Sequence, residues 1–305
     1  MAEKDIKHRK NVLSFWIVYV FLATVFIVSA GLILRQFADF RQSIDEYEKA
    51  KVIAGIPDMS DLSAVPSLDT DTNSTLGHES FTEDTAADGS DISRVPIDVS
   101  SGESSLDGSI MECLRMVDIG ALKAVNPDVI GWIYITATDI TYPIMHSDSN
   151  DRYIRSSWMD SNVYLTAGAI FMDRANSSDF SDFNTILYGH RMRNETMFGK
   201  LKYYESPGYL KEHPSVYIVT ESYISRYDIY SVYEVRTSGE TFQIGFGGDE
   251  SKQAYIDFTL ASSIYDTGII PTVDDHILTL STCSGIKDYS TRWVVQAVRR
   301  GYEGR

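Results

Sequence analysis

HILTLSTC, residues 276–283, is the stretch on which the fold turns. From Ile277 onward it is a short run of aliphatic, β-branched and small hydroxyl residues, of ordinary strand length, and it ends on a cysteine. Two other runs also have a candidate residue at one end. TILYGH, 185–190, closes on His190 after Gly189, and the strand predicted over 293–298 is preceded by Arg292, across an eight-residue loop from Cys283. A nucleophilic cysteine needs a thiol free of disulfides, a base or cation that favours the thiolate, and donors for an oxyanion. Cys283, His190 and Arg292 are the candidates for these three parts. Ser281 and Thr282 supply small polar neighbours, and Gly189 removes a side chain where substrate or cysteine would approach. Each residue also has a plainer reading. A strand-end cysteine is commonly a small buried hydrophobe, an Arg at a strand start a solvated charge, and a Cys113–Cys283 bridge is open to an exported chain. Cys113, beside Leu114, reads as packing. His8, His78, His146, His213 and His276 lie outside the folded region or flank strands and turns.

Outward from these runs, strands are expected over 131–135, 140–146, 169–173, 185–190, 216–220, 227–235, 241–246, 277–283 and 293–298, separated by Gly, Pro and Asn turns. Many short strands in close succession predict a mainly β, closed architecture with added helices. Helices are expected over 111–125, 197–203 and 252–264. In the last, Ala254, Phe258, Ala261 and Ile264 recur at helical spacing.

Residues 12–34, VLSFWIVYVFLATVFIVSAGLIL, form an uncharged run of 23 residues. As a helix it would cover roughly 35 Å, against a hydrocarbon core of about 30 Å. It predicts a single-pass membrane anchor. Lys4, Lys7, Arg9 and Lys10 precede it, which puts the N-terminus in the cytoplasm and the rest outside. Val28-Ser29-Ala30 resembles a small-residue cleavage site, but the apolar run continues to Leu34, so an uncleaved anchor is expected over a signal peptide or a buried core helix. The chain thus divides into a basic tail (1–11), the span (12–34), a short helical stalk (35–54), an acidic linker (55–108) and a folded domain (109–305). Their charges differ: +2 over residues 1–54, −11 over 55–108 and −7 over 109–305. The linker, rich in Ser, Thr, Asp and Gly with Phe81 as its one aromatic, reads as a disordered tether whose role is reach. The total of −16 and the lack of clustered Lys and Arg exclude general nucleic-acid affinity. Two cysteines in 305 residues exclude a disulfide scaffold. No carboxylate set has calcium-loop spacing and no Cys/His set has zinc spacing, so neither metal nor cofactor is expected.

TLSTC at 279–283, with Arg292 nine positions on in STRWVVQAV, resembles the cysteine signature of sortases, Gram-positive cysteine transpeptidases. FNTILYGHRMRNETMFGKLKYY at 183–204 is similar to the histidine region of class B sortases, as are NPDVIGWIYI (126–135), ITYPIMH (140–146) and AGAIFMD (167–173). This resemblance spans nearly all of 110–300. It implies an eight-stranded β-barrel with N-terminal helices and a helix before a late strand. It implies His190, Cys283 and Arg292 as the catalytic trio, Ser281 and Thr282 as substrate contacts, and Tyr188 and Gly189 at the rim. It further implies cleavage of a C-terminal sorting motif after Thr through a Cys thioester. The surface protein would then pass to a peptidoglycan amine or, in a pilus-building variant, to a pilin lysine. Ser284 stands where some class B members carry an acidic residue. A hydrolytic peptidase and a non-enzymatic stalked scaffold are the alternatives.

Overall fold

The strands are β1 Val129–Ile135, β2 Thr141–Met145, β3 Ile170–Met172, β4 Asn184–Tyr188, β5 Ser215–Val219, β6 Tyr223–Arg236, β7 Ile277–Cys283 and β8 Thr291–Gly304. In this computed structural model, which describes residues 2–56, 103–237, 239–283 and 290–305, they close into a barrel in the order β1-β2-β3-β4-β7-β8-β6-β5. Closure gives every strand a neighbour on both sides. All neighbours are antiparallel except β2 with β3 and β4 with β7.

Strand alternation sorts β7 into two faces. Leu278 and Leu280 join Leu187, Val295 and Ala297 in the main core, whereas Ile277 packs with Tyr230, Tyr255, Ile256 and Val298 beneath helix α5 (Asp249–Ser262). Burial on both faces explains why β7 carries no charged residue and only small hydroxyls among its polar groups. The face under α5 also holds a hydrogen-bonded network. Thr279 donates to Asn184 Oδ1 at 2.7 Å, and Gln296 donates to Thr279 Oγ1 at 2.9 Å and to Tyr255 OH at 2.8 Å. Tyr230 OH donates to Gln296 Oε1 at 2.9 Å, and the Asn184 amide donates to the Thr241 and Gln243 carbonyls.

That network accounts for two departures from the sequence reading. Residues 241–246 form no strand: a 3-10 turn over Glu240–Phe242 leads into irregular chain. Its carbonyls bond Asn184, and its aromatics cap the sheet, Phe246 against Phe183 and Tyr255. The apolar alternation of TFQIGF thus serves a covering segment. In α5 the predicted face is only partly the inner one: Phe258 is half-buried and meets Tyr233 edge to face, centroids 6.3 Å apart. Ala254 and Ala261 are exposed and Ile264 is 48% exposed, while Tyr255, Ile256 and Thr259 are buried. Tyr255 and Thr259 carry the polar groups the network uses, so hydrophobic periodicity undercounts them.

The helix expected over 111–125 is two, α2 Glu103–Arg115 and α3 Ile119–Val125, divided where Asp118 caps α3 by accepting from Ala121 N–H. Helix α2 therefore begins inside the region assigned to the linker. The region expected as helical over 197–203 is a 3-10 turn, Gly199–Glu205, followed by helix α4, Pro207–Glu212.

The stalk is not separate from the span. Helix α1 runs unbroken over Ala2–Ile53. Its apolar turns are uncovered, Phe26 being 74% exposed, which sets aside a buried core helix and makes α1 the one helix among the described residues long and apolar enough to cross a membrane. Its last turns instead pack on the barrel: Ala50 and Ala54 are fully buried, and Tyr47 meets Tyr142 edge to face, centroids 5.0 Å apart. Past the acidic segment, Asp118 N–H donates to Ala54 O at 2.9 Å. Residues 57–102 lie outside the described residues. The chain is held on the barrel before and after them, at Ala54 and at Asp118.

Candidate active site

Three strand ends build the site. Parallel β4 and β7 match Tyr188 to Ser281, and Gly189 N–H continues the ladder to Ser281 O at 3.2 Å, so His190 leaves β4 alongside the end of β7. Across the antiparallel β7–β8 pair Cys283 faces Arg292. Positions 279, 281 and 283 share one face of β7, facing 296, 294 and 292 of β8. His190, Cys283 and Arg292 thereby come to one rim of the barrel. The side chain of Cys283, and Ser284 entirely, lie outside the described residues.

His190 is half-buried and held on two sides. Its carbonyl accepts from Phe198 N–H at 3.0 Å, and its Nε2 lies 2.5 Å from Ile154 O. A carbonyl only accepts, so Nε2 carries a proton in either charge state and the proton that comes and goes is on Nδ1. Burial is the first cause that lowers the imidazole pKa below its ordinary value, with the positive charges of Arg155 and Arg292 acting in the same direction; the Ile154 acceptor opposes them. At neutral pH the ring is neutral and ready to accept a proton. Arg292 donates from Nη1 to Thr291 O at 3.1 Å.

Tyr188 forms a rigid wall. Its ring is within stacking range of Phe242, centroids 6.3 Å apart, and meets Phe171 at 5.4 Å, while its hydroxyl donates to Asp173 Oδ2 at 2.9 Å. Burial first, then the Asp173 carboxylate, push the phenol far above its usual range, so it stays protonated. Ser281 and Thr282 are buried, and each hydroxyl lacks a hydrogen-bond partner among the described residues. An unpaired buried hydroxyl costs roughly 1–3 kcal/mol. Ser281 lies beside Tyr188 on the site face. Thr282 falls on the face of Leu278 and Leu280, toward the core, which removes it from the expected substrate contacts.

Gly189 also serves differently from expected. A Cβ there would meet Ile170 Cδ1 at 2.5 Å and Phe198 Cδ2 at 2.7 Å, so the space it leaves is filled by the protein's own core. Gly189→Ala should destabilise the domain by about 1–3 kcal/mol through overpacking. Thermal unfolding would read this as a melting point several degrees lower, and an unchanged melting point would count against it.

Ile154, Asp173 and Phe242 join the site without having been singled out from sequence. Asp173 ends the quoted string AGAIFMD, and Phe242 lies in a segment read as strand. Nothing local marks Ile154, whose contribution is a backbone carbonyl. Cys113 is a free, half-buried thiol, so no bridge joins it to Cys283. Among the described residues no group of His, Cys, Asp and Glu is arranged to hold a metal.

A closed eight-stranded barrel with cysteine, arginine and histidine at neighbouring strand ends defines a class, and comparison with known proteins gives the same one. The family model of the Sortase domain matches residues 133–300. Sortase B of Listeria monocytogenes is 34% identical over 195 residues, 63% of this chain and 76% of its own. Two solved structures agree in fold. Clostridium perfringens sortase B has a TM-score of 0.56 at 30% identity, covering 60% of this chain and all of its own. A Staphylococcus aureus sortase B–substrate complex has a TM-score of 0.56 at 28% identity, covering 60% and 84%. The chain belongs to the sortase family of cysteine transpeptidases, and these relatives are of the B class.

Proposed function

We propose that this chain is a membrane-anchored cysteine transpeptidase. It cleaves a C-terminal sorting motif after Thr and transfers the surface protein to a peptidoglycan amine, with residues 12–34 as its single span, the N-terminus cytoplasmic and the barrel outside. The observation that carries the reading is the facing of Cys283 and Arg292 across β7–β8, with His190 alongside at the end of β4. The S. aureus sortase B–substrate complex among its relatives supports a peptide occupant of this site.

Cys283 Sγ attacks the Thr carbonyl as its proton passes to His190 Nδ1. Arg292 stabilises the resulting oxyanion. Collapse breaks the peptide bond, the leaving amine takes the proton from His190, and a thioester remains. An incoming amine attacks that thioester, gives its proton to His190, and expels Cys283, which recovers the proton as a thiol. A neutral His190 suits the first transfer. The unpaired Ser281 hydroxyl, beside Tyr188, supplies a hydrogen bond to the bound peptide.

The test is intact-mass spectrometry of the full chain in detergent with a pool of sorting-motif peptides, with and without a glycine-based amine or a lysine peptide. A Cys283 adduct that is converted to an amine-joined product is the expected result, and the productive amine identifies the acceptor class. Release by water alone, with no joined product, would make the protein a hydrolase. A Cys283 inert to every peptide and to a general alkylating reagent would leave a scaffold.

A further inference from the structure

The main-chain oxygen that receives His190 belongs to a hairpin, and that hairpin is held by the anchor helix. Tyr153, Arg155 and Ser157 pair with Ala169, Leu165 and Val163: Ala169 N–H donates to Tyr153 O at 3.0 Å, Leu165 N–H to Arg155 O at 2.9 Å and Ser157 N–H to Val163 O at 2.9 Å. Gly168, at φ +58°, lies so close beneath Ile154 that a Cβ would stand 2.2 Å from its carbonyl oxygen. Helix α1 grips both arms of this hairpin. Tyr47 OH donates to Gly168 O, Trp158 Nε1 donates to Glu46 O at 3.2 Å, and Ser157 Oγ donates to the Glu46 carboxylate, all in buried surroundings. Glu46 is held in turn by Gln42, whose amide donates to Oε1 at 3.1 Å.

We infer that Glu46 and Tyr47 of the anchor helix are positioning residues for the transpeptidation: by clamping residues 153–168 they fix the Ile154 carbonyl, and through it the orientation of the His190 ring. The inference rests on His190 being the acid–base group. It gives α1 a part in the chemistry besides attachment. The helix is continuous from its apolar turns to this clamp, and about 20 Å of it separates Leu34 from Tyr47. A ring turned away from Ile154 no longer has its Nε2 proton fixed, and misplacing a catalytic group by about 1 Å can cost up to ~10² in rate.

The test uses the full chain in detergent carrying Tyr47→Phe together with Ser157→Ala, which removes two side-chain clamps and keeps the bulk of both residues. Ser157→Thr retains the hydroxyl and should behave as the parent. The positive groups facing His190 are Arg155 of the hairpin and Arg292 of β8, and neither is changed. Loosening the hairpin admits water to the ring. Loss of the Ile154 acceptor acts the other way, but burial is the largest cause of the lowered pKa, so the His190 titration followed by NMR should move up toward the ordinary imidazole range. Acyl-enzyme formation should fall about tenfold or more with KM little changed, and its acid limb should move to higher pH. An unmoved His190 titration and acid limb in the double variant would overturn the inference. A titration that moves while the rate does not would uphold the clamp and instead refute His190 as the acid–base group.

Discussion

Cys283→Ala leaves no acyl-enzyme: incubated with a sorting-motif peptide that labels the parent, the variant shows only its own mass, and turnover falls by at least ~10⁴. The size follows from the chemistry. The thioester divides the reaction into two steps, and without sulfur no other group in the site attacks the carbonyl. Ser281 and Thr282 do not substitute, because an unactivated hydroxyl is a far weaker nucleophile than a thiol. Cys113 does not either. Burial, and then the adjacent Glu112, raise its thiol pKa, so at neutral pH it holds little thiolate. Alkylation of the parent at neutral pH should therefore fall mainly on Cys283, and peptide mapping reads the ratio. An acyl adduct that survives in Cys283→Ala would remove this residue from its role.

His190→Ala should cost ~10²–10⁴ in the rate of acyl-enzyme formation, the usual contribution of a positioned acid–base group. Its pH dependence carries more information than its size. With the imidazole pKa lowered by burial, Arg155 and Arg292, the ring stays neutral below the pH at which an ordinary histidine protonates. The thiol's proton can be accepted only by the neutral ring. The parent's acid limb should then lie below an ordinary imidazole's pKa, with activity retained as pH falls to about 6.5 and lost beneath it. In His190→Ala that limb should vanish along with the rate. An acid limb that persists unchanged in the variant would assign it to another group.

Much of this was legible along the chain. Short β-branched runs broken by Gly, Pro and Asn announce a closed β fold, because strand alternation and turn chemistry are local properties. The 23 uncharged residues of 12–34 announce a helix fit for a membrane for the same reason. The three candidate residues could be proposed because each ends or opens a strand-like run, and separate strings repeat the pattern of one family. Where reading by hydrophobicity failed, polar groups had been buried. In α5 the true inner face carries Tyr255 and Thr259, and TFQIGF spends its carbonyls on Asn184 instead of on a neighbouring strand.

The sequence by itself determined which elements form and which residue types stand at their ends. Only the tertiary structure decided that Cys283 faces Arg292, that Thr282 shares the face of Leu278 and Leu280 while Ser281 shares that of Tyr188, and that Gly189 makes room for Phe198 rather than for a ligand. It alone decided that α1 reaches His190 through Glu46, Tyr47 and the carbonyl of Ile154. The physical reason is that propensity, periodicity and capping act between residues a few positions apart. Register, facing and the choice of a hydrogen-bond acceptor are settled between separate segments that the fold brings together, such as Ile154 and His190 or Tyr47 and Gly168, where any carbonyl serves and no side chain announces it.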